Sequence, residues 1–191
     1  MHLLIIDNYD SFTYNLHHYL EPMVDQVDVI RNDCLDLSTV SNYDGIVLSP
    51  GPGLPADAGC MMELISQYAD SKPILGVCLG HQAIAEHYGG NLLNMPSVLH
   101  GQPSACEIVS EDPLFLGCEL PMIIGHYHSW IVDDKELPAC LEVTARHREG
   151  YIMAMRHKEH QVSGLQFHPE SILTPEGKKI LANWVKSIRK G

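Results

Sequence analysis

The first half of the chain alternates short apolar runs with amphipathic stretches, and that alternation leaves few folds open. Leu3-Leu4-Ile5-Ile6, Val27-Asp28-Val29-Ile30, Gly45-Ile46-Val47-Leu48 and Pro73-Ile74-Leu75-Gly76-Val77 have the apolar character of strands buried on both faces. Residues 12–20, 57–68 and 79–88 carry helical patterns between them. Strands that alternate with helices pair in parallel through crossovers. The pattern therefore predicts an α/β fold: an open, mostly parallel, doubly wound sheet with helices on both faces.

From about residue 107 the pattern changes to short runs without good helices between them, at 108–109, 122–124, 141–144, 151–155 and 162–167. These read as largely antiparallel strands added to the parallel core. A last helix is expected with Thr174 as its cap, Pro175 in its first turn, and an apolar face of Ile180, Leu181, Trp184, Val185 and Ile188. No repeat or linker divides the sequence, so residues 1–191 are expected to form a single domain.

A net charge of -12, from 24 acidic and 12 basic residues, argues against nucleic acid, whose nonspecific binding rests on clustered Lys and Arg. The N-terminal apolar run is too short for a signal peptide or a membrane span, which suggests a cytoplasmic protein with no membrane partner. The six cysteines, at 34, 60, 78, 106, 118 and 140, form no CxxC, and the twelve histidines are scattered. Reduced thiols are expected, with no metal and no cofactor.

Three segments carry chemistry. Gly76-Val77-Cys78-Leu79-Gly80-His81-Gln82 follows a strand and opens a helix, as a nucleophile elbow does, with cysteine in the serine position. The helix N-terminus would favour a thiolate, and the Leu79 amide is placed to stabilise an oxyanion. A buried structural cysteine between two turn glycines is the competing interpretation. Phe167-His168-Pro169-Glu170, at the end of another apolar run, offers a base and a carboxylate to orient it, because side chains two apart on extended backbone project to the same side. Ser49-Pro50-Gly51-Pro52-Gly53 follows a third strand and is either an ordinary turn or a rigid loop whose amides supply a second oxyanion donor. In an open parallel sheet such strand ends are where ligands bind.

Together these segments, with Ile6-Asp7-Asn8-Tyr9-Asp10-Ser11-Phe12-Thr13-Tyr14-Asn15 and Ser171-Ile172-Leu173-Thr174, resemble the class I, triad-type glutamine amidotransferases and their flavodoxin-like fold. The first segment is similar to that of the glutaminase component of anthranilate synthase or aminodeoxychorismate synthase. The resemblance implies hydrolysis of L-glutamine to glutamate and ammonia, with Cys78 as nucleophile, His168 as base and Glu170 as orienting acid. It also implies an oxyanion hole from the Gly51 and Leu79 amides, and glutamine contacts from Gly51, Pro52, Gly53, Gln82, Ser129 and the Trp130 backbone. Trp130 stands where the family often has a smaller apolar residue, and Gln102 where it often has Lys.

The expected partner is a larger chorismate-binding synthase subunit, component I, that consumes the ammonia. Residues 7–15 and 100–102 are the candidate contacts. Two other functions stay open at this stage: an amidotransferase feeding a different synthase, such as one making GMP or carbamoyl phosphate, and a non-catalytic regulatory subunit of the same fold.

Overall fold

The computed structural model describes residues 1–188, without the side chains of residues 96, 97 and 99. Strands β1 (His2–Asp7), β2 (Gln26–Arg31), β3 (Gly45–Leu48), β4 (Ile74–Val77) and β9 (Val162–Leu165) lie side by side in the order β2-β1-β3-β4-β9, all parallel. The expected doubly wound core is therefore present. Because strand side chains alternate, each strand feeds two apolar layers. Leu3, Ile5, Val47, Leu75 and Val77 pack with Leu16 and Leu20 of helix α1 (Thr13–Leu20) and with Ile180, Leu181, Trp184 and Val185 of helix α4 (Gly177–Ile188). Leu4, Ile6, Ile46, Leu48 and Ile74 pack with Met61, Leu64 and Ile65 of α2 (Met61–Tyr68) and with Ala83 and Ile84 of α3 (Leu79–His87). Each fully buried Leu, Ile or Val contributes roughly 1.5–3 kcal/mol.

Four more strands extend the sheet beyond β9 in the order β8-β7-β5-β6, all antiparallel: β5 (Leu92–Ile108), β6 (Met122–Val132), β7 (Leu141–His147) and β8 (Ile152–His157). Four expectations need correction here. The run at 162–167 contributes β9, which is antiparallel only to β8 and parallel to β4, so it belongs to the core. The run at 108–109 falls at the tail of a 17-residue strand, of which residues 106–108 pair with β7, while pairing with β6 runs from residue 92 to residue 106 with two register shifts. Helix α4 starts at Gly177, beyond Pro175, and the Thr174 hydroxyl, expected to cap it, instead donates to the His168 carbonyl and accepts from the Gly125 amide. Helix α2 likewise begins later than expected. A 3-10 turn occupies Pro55–Asp57, and Gly59 follows with a φ of +54°, which no continuous α-helix tolerates.

Candidate active site

Strand β4 runs directly into α3, and the residue at the junction is Cys78. Its φ of 51° and ψ of -98° are strained for a side chain with a Cβ, which identifies a sharp elbow. The flanking glycines make the turn possible. A Cβ on Gly76 would lie 2.4 Å from the Gly80 carbonyl, and one on Gly80 would lie 2.6 Å from the Leu48 backbone oxygen on β3. The Cys78 amide is tied to the neighbouring strand by donating to the Leu165 carbonyl at 2.8 Å. Leu79 is the first residue of α3, so its N–H has no acceptor within the helix.

Beyond the end of β9, His168 and Glu170 sit beside this elbow. His168 Nδ1 donates to Glu170 Oε1 at 2.7 Å, with the two residues each only 2 % exposed. Burial is the largest influence on the ring and opposes its charge. It is outweighed by contact with Cys78 and by the hydrogen bond and charge of Glu170, which raise the His168 pKa to about 10. Nε2 makes no hydrogen bond of ordinary geometry, yet the Cys78 sulfur is near enough to favour its proton. Cys78 itself is 6 % exposed. Phe12 and Tyr127 cover the base, their ring centroids 5.5 and 4.9 Å from that of His168, and the Tyr127 hydroxyl reaches Ser171 Oγ at 3.1 Å.

The loop after β3 approaches from the other side. Around Gly51 the chain is so tight that a Cβ would fall 2.6 Å from Asn8 Cβ and 2.7 Å from Leu79 Cδ2, which puts Gly51 against the elbow. Asn8, buried, holds this loop: its amide N–H donates to Ser49 Oγ at 2.9 Å, and its Nδ2 donates to the Ser49 carbonyl at 2.8 Å. Residues 7–15 therefore do two things. Asp7, Asn8 and Thr13 are buried and structural, whereas Tyr9, Ser11 and Tyr14 are exposed. Pro52 and Gly53 are exposed beyond the loop, where Pro52 lines a cavity of about 380 Å³ with Asn8, Tyr9, Asn32, Asp57 and Leu79.

Gln82, one turn into α3, donates to the Trp130 carbonyl at 3.0 Å and to Gln166 Oε1 at 3.3 Å. Gln166 Nε2 in turn stands 3.8 Å from Cys78 Sγ. The motifs assign Gln166 no role, although the two-residue spacing that pairs His168 with Glu170 puts residue 166 on that side as well. The Trp130 indole reaches its cross-strand neighbour on β5: with the Asn94 amide turned so that its oxygen faces the ring, Nε1 donates to it at 3.3 Å. Ser129 precedes Trp130 on β6 and is half-buried. His100, Gly101 and Gln102 are exposed on β5. No helix among the described residues is long and apolar enough to cross a membrane.

The chain is similar to known proteins along almost its whole length. The family model for glutamine amidotransferase class-I matches residues 4–188. The chain is 43% identical over 190 residues to the Bacillus subtilis aminodeoxychorismate/anthranilate synthase component 2, covering 98% of this chain and 97% of that one. It is 45% identical over 193 residues to the Pseudomonas putida anthranilate synthase component 2, covering 97% of each. A Thermoplasma acidophilum structure, solved as that of a candidate GMP synthase subunit, superposes with a TM-score of 0.89 over 100% of this chain and 94% of that one. At 23% identity it is a likeness of fold alone.

Proposed function

Because the chain belongs to the class I glutamine amidotransferase family, we propose that it is the glutaminase component of a chorismate-utilising synthase, with Cys78, His168 and Glu170 as its catalytic triad. The observation that carries the triad is the buried 2.7 Å His168–Glu170 bond set beside a cysteine on a strained elbow. With Nδ1–H given to Glu170, the other ring nitrogen is left to exchange a proton with the thiol. Cys78 Sγ attacks the side-chain amide carbon of glutamine while the Gly51 and Leu79 amides hold the developing oxyanion. His168 passes the thiol proton to the departing nitrogen, giving ammonia and a thioester, and then activates the water that releases glutamate. Gln82, Ser129 and the Trp130 carbonyl form the wall that recognises the amino-acid end of the substrate, and Pro52 and Gly53 its outer rim.

Ammonia is protonated in neutral water and is then no nucleophile, so it must pass directly to a synthase. The exposed apolar side chains Tyr9, Tyr14, Val98 and Ile172, with His100 and Gln102, give such a partner a surface near the site. The names of the relatives support component I of anthranilate or aminodeoxychorismate synthase as that partner. Glutamate release by wild type and Cys78→Ala, each alone and with either synthase, tests the reading. Release that depends on Cys78 is expected, strongest with the true partner. Its absence in every combination would end the enzymatic reading, and the product formed distinguishes the two pathways.

A further inference from the structure

The hydrogen bonds around the Trp130 carbonyl continue into a file of side chains that the chemistry above does not use. His126 and His128, two apart on β6, project to one face and are only 1% and 5% exposed. Ser104 Oγ on β5 lies 2.6 Å from His126 Nε2, His126 Nδ1 lies 3.1 Å from His128 Nε2, and His128 Nδ1 lies 3.2 Å from the Trp130 carbonyl oxygen. The same oxygen accepts from Gln82 Nε2 at 3.0 Å.

The last acceptor fixes the direction of every proton in this file. A carbonyl oxygen can only accept, so His128 Nδ1 must carry hydrogen. Both rings are neutral at pH 7. Burial first, then the neighbouring rings of His126 and His168, pushes the His128 pKa down to about 3. Burial, then His147 and His168, pushes His126 down to about 4. A neutral imidazole has one N–H, so His128 Nε2 is a bare acceptor that His126 Nδ1–H must satisfy. His126 Nε2 is then also an acceptor, and the Ser104 hydroxyl donates to it. The opposite tautomer of His126 would face its lone pair toward the lone pair of His128 at 3.1 Å. Relieving that clash by reversing His128 would turn a second lone pair toward the Trp130 oxygen. One misplaced proton would thus reach the substrate wall.

We propose that His126, oriented by Ser104, is a positioning residue for glutamine binding: it sets the tautomer of His128 and so holds the Ser129–Trp130 stretch of β6 against Gln82. The proposal rests on the glutaminase reading and adds to it two residues, on two strands, that never touch substrate.

The test compares His126→Phe, His126→Gln and Ser104→Ala with wild type, in the complex with the cognate synthase. His126→Phe keeps a flat ring but removes both nitrogens, whereas the amide of His126→Gln can still donate to His128. Loss of one orienting hydrogen bond should raise the glutamine KM about tenfold in His126→Phe and Ser104→Ala, with kcat changed by less than about threefold. His126→Gln should recover most of the loss. Ring 15N NMR of the free chain provides a second readout: wild-type His128 should be neutral with its proton on Nδ1, and Ser104→Ala should move part of the population to Nε2. If His126→Phe fails to fold, the other two variants and the wild-type tautomer still decide the matter. Unchanged KM in Ser104→Ala, a loss confined to kcat, or wild-type His128 protonated on Nε2 would each overturn the proposal. An inactive wild type would count against the glutaminase reading instead, leaving the NMR result to judge the proton file.

Discussion

Lowering the pH from 7 to 5 should cost the fold several kcal/mol, because three imidazoles are buried in their neutral form. His81 is fully buried between α3 and β9, where burial, only partly offset by the Gly164 backbone, holds its pKa at about 4. His126 is held at about 4 and His128 at about 3, in both cases mainly by burial. Each ring titrates near 6.5 when unfolded. Between the folded and unfolded values the unfolded chain binds more protons, so stability falls as pH falls, beginning near pH 6.5. At pH 5 each ring then costs about 2 kcal/mol, and the three about 6 kcal/mol, a large part of the roughly 5–15 kcal/mol that holds a domain folded. His168 has the opposite sign. Its pKa is raised to about 10, so its stabilisation is fully present below pH 6.5 and is lost as pH rises through 10. Between pH 7 and 5 it adds less than about 1 kcal/mol. Urea unfolding followed by tryptophan fluorescence at pH 7, 6 and 5 measures the sum, and the slope should approach about 4 kcal/mol per pH unit, equivalent to three protons. His81→Leu should lower that slope by about one third. A stability that changes by less than about 2 kcal/mol from pH 7 to 5, or a slope that is the same in His81→Leu, would refute the reasoning.

Three further outcomes follow from the site. Glu170→Gln keeps an acceptor for His168 Nδ1 but removes the charge, so kcat for glutamate release should fall roughly 10–1000-fold with little change in thermal midpoint, and the alkaline limb of the pH–rate profile should move to lower pH as His168 loses support. Gly80→Ala would drive a Cβ to 2.6 Å from Leu48 Cβ and its carbonyl oxygen, lifting α3 off β3. Denaturant titration should show a loss of about 1–3 kcal/mol, and labelling of Cys78 by a glutamine-like electrophile should fail. Asn8→Ala leaves the Ser49 carbonyl and the Asn32 amide without their buried partner, so unfolding should report about 1–3 kcal/mol lost and steady-state assays about tenfold in kcat from a loosened Gly51 loop.

The parallel core and the triad are legible in the sequence because their determinants are local. Val77 and Leu165, each ending a parallel strand, bring Cys78 and His168 to one edge of the sheet, and the i, i+2 spacing supplies Glu170. The second half is less legible for identifiable reasons. β5 contains Pro96, Gly101 and Pro103, and its pairing with β6 shifts register between 94 and 99 and again between 100 and 102. Each shift inverts the inside–outside alternation by which a strand is recognised. The start of α4 escapes a local reading because Thr174, a good capping residue by type, is used by the His168 carbonyl and the Gly125 amide instead. Nothing in a local pattern says which of two acceptable partners a hydroxyl takes.

The length of β5 and β6 has a geometric cause that ties these two kinds of information together. In the sheet order β6 is separated from β9 by β8, β7 and β5, yet the His168 amide donates to the Gly125 carbonyl at 3.2 Å and Thr174 Oγ1 accepts from the Gly125 amide at 3.0 Å. A flat sheet would hold strands four positions apart at nearly 20 Å. The hairpin therefore has to curl back over the strand ends. It is free to do so because only the end of β5, residues 106–108, pairs with β7, while the pairing of the preceding residues is to β6 alone. The register shifts are where an antiparallel pair acquires that extra bend and twist. Cys78 and His168 are thus set by the crossover core, while the wall that includes Ser129 and the Trp130 carbonyl is delivered by a hairpin whose path depends on non-local pairing. That division gives a proton file of His126, His128 and Ser104 within the hairpin a purpose: the catalytic residues have rigid strands behind them, whereas the recognition wall is held by its own cross-strand bonds and by a few side-chain and backbone contacts from Gln82, His168 and Thr174.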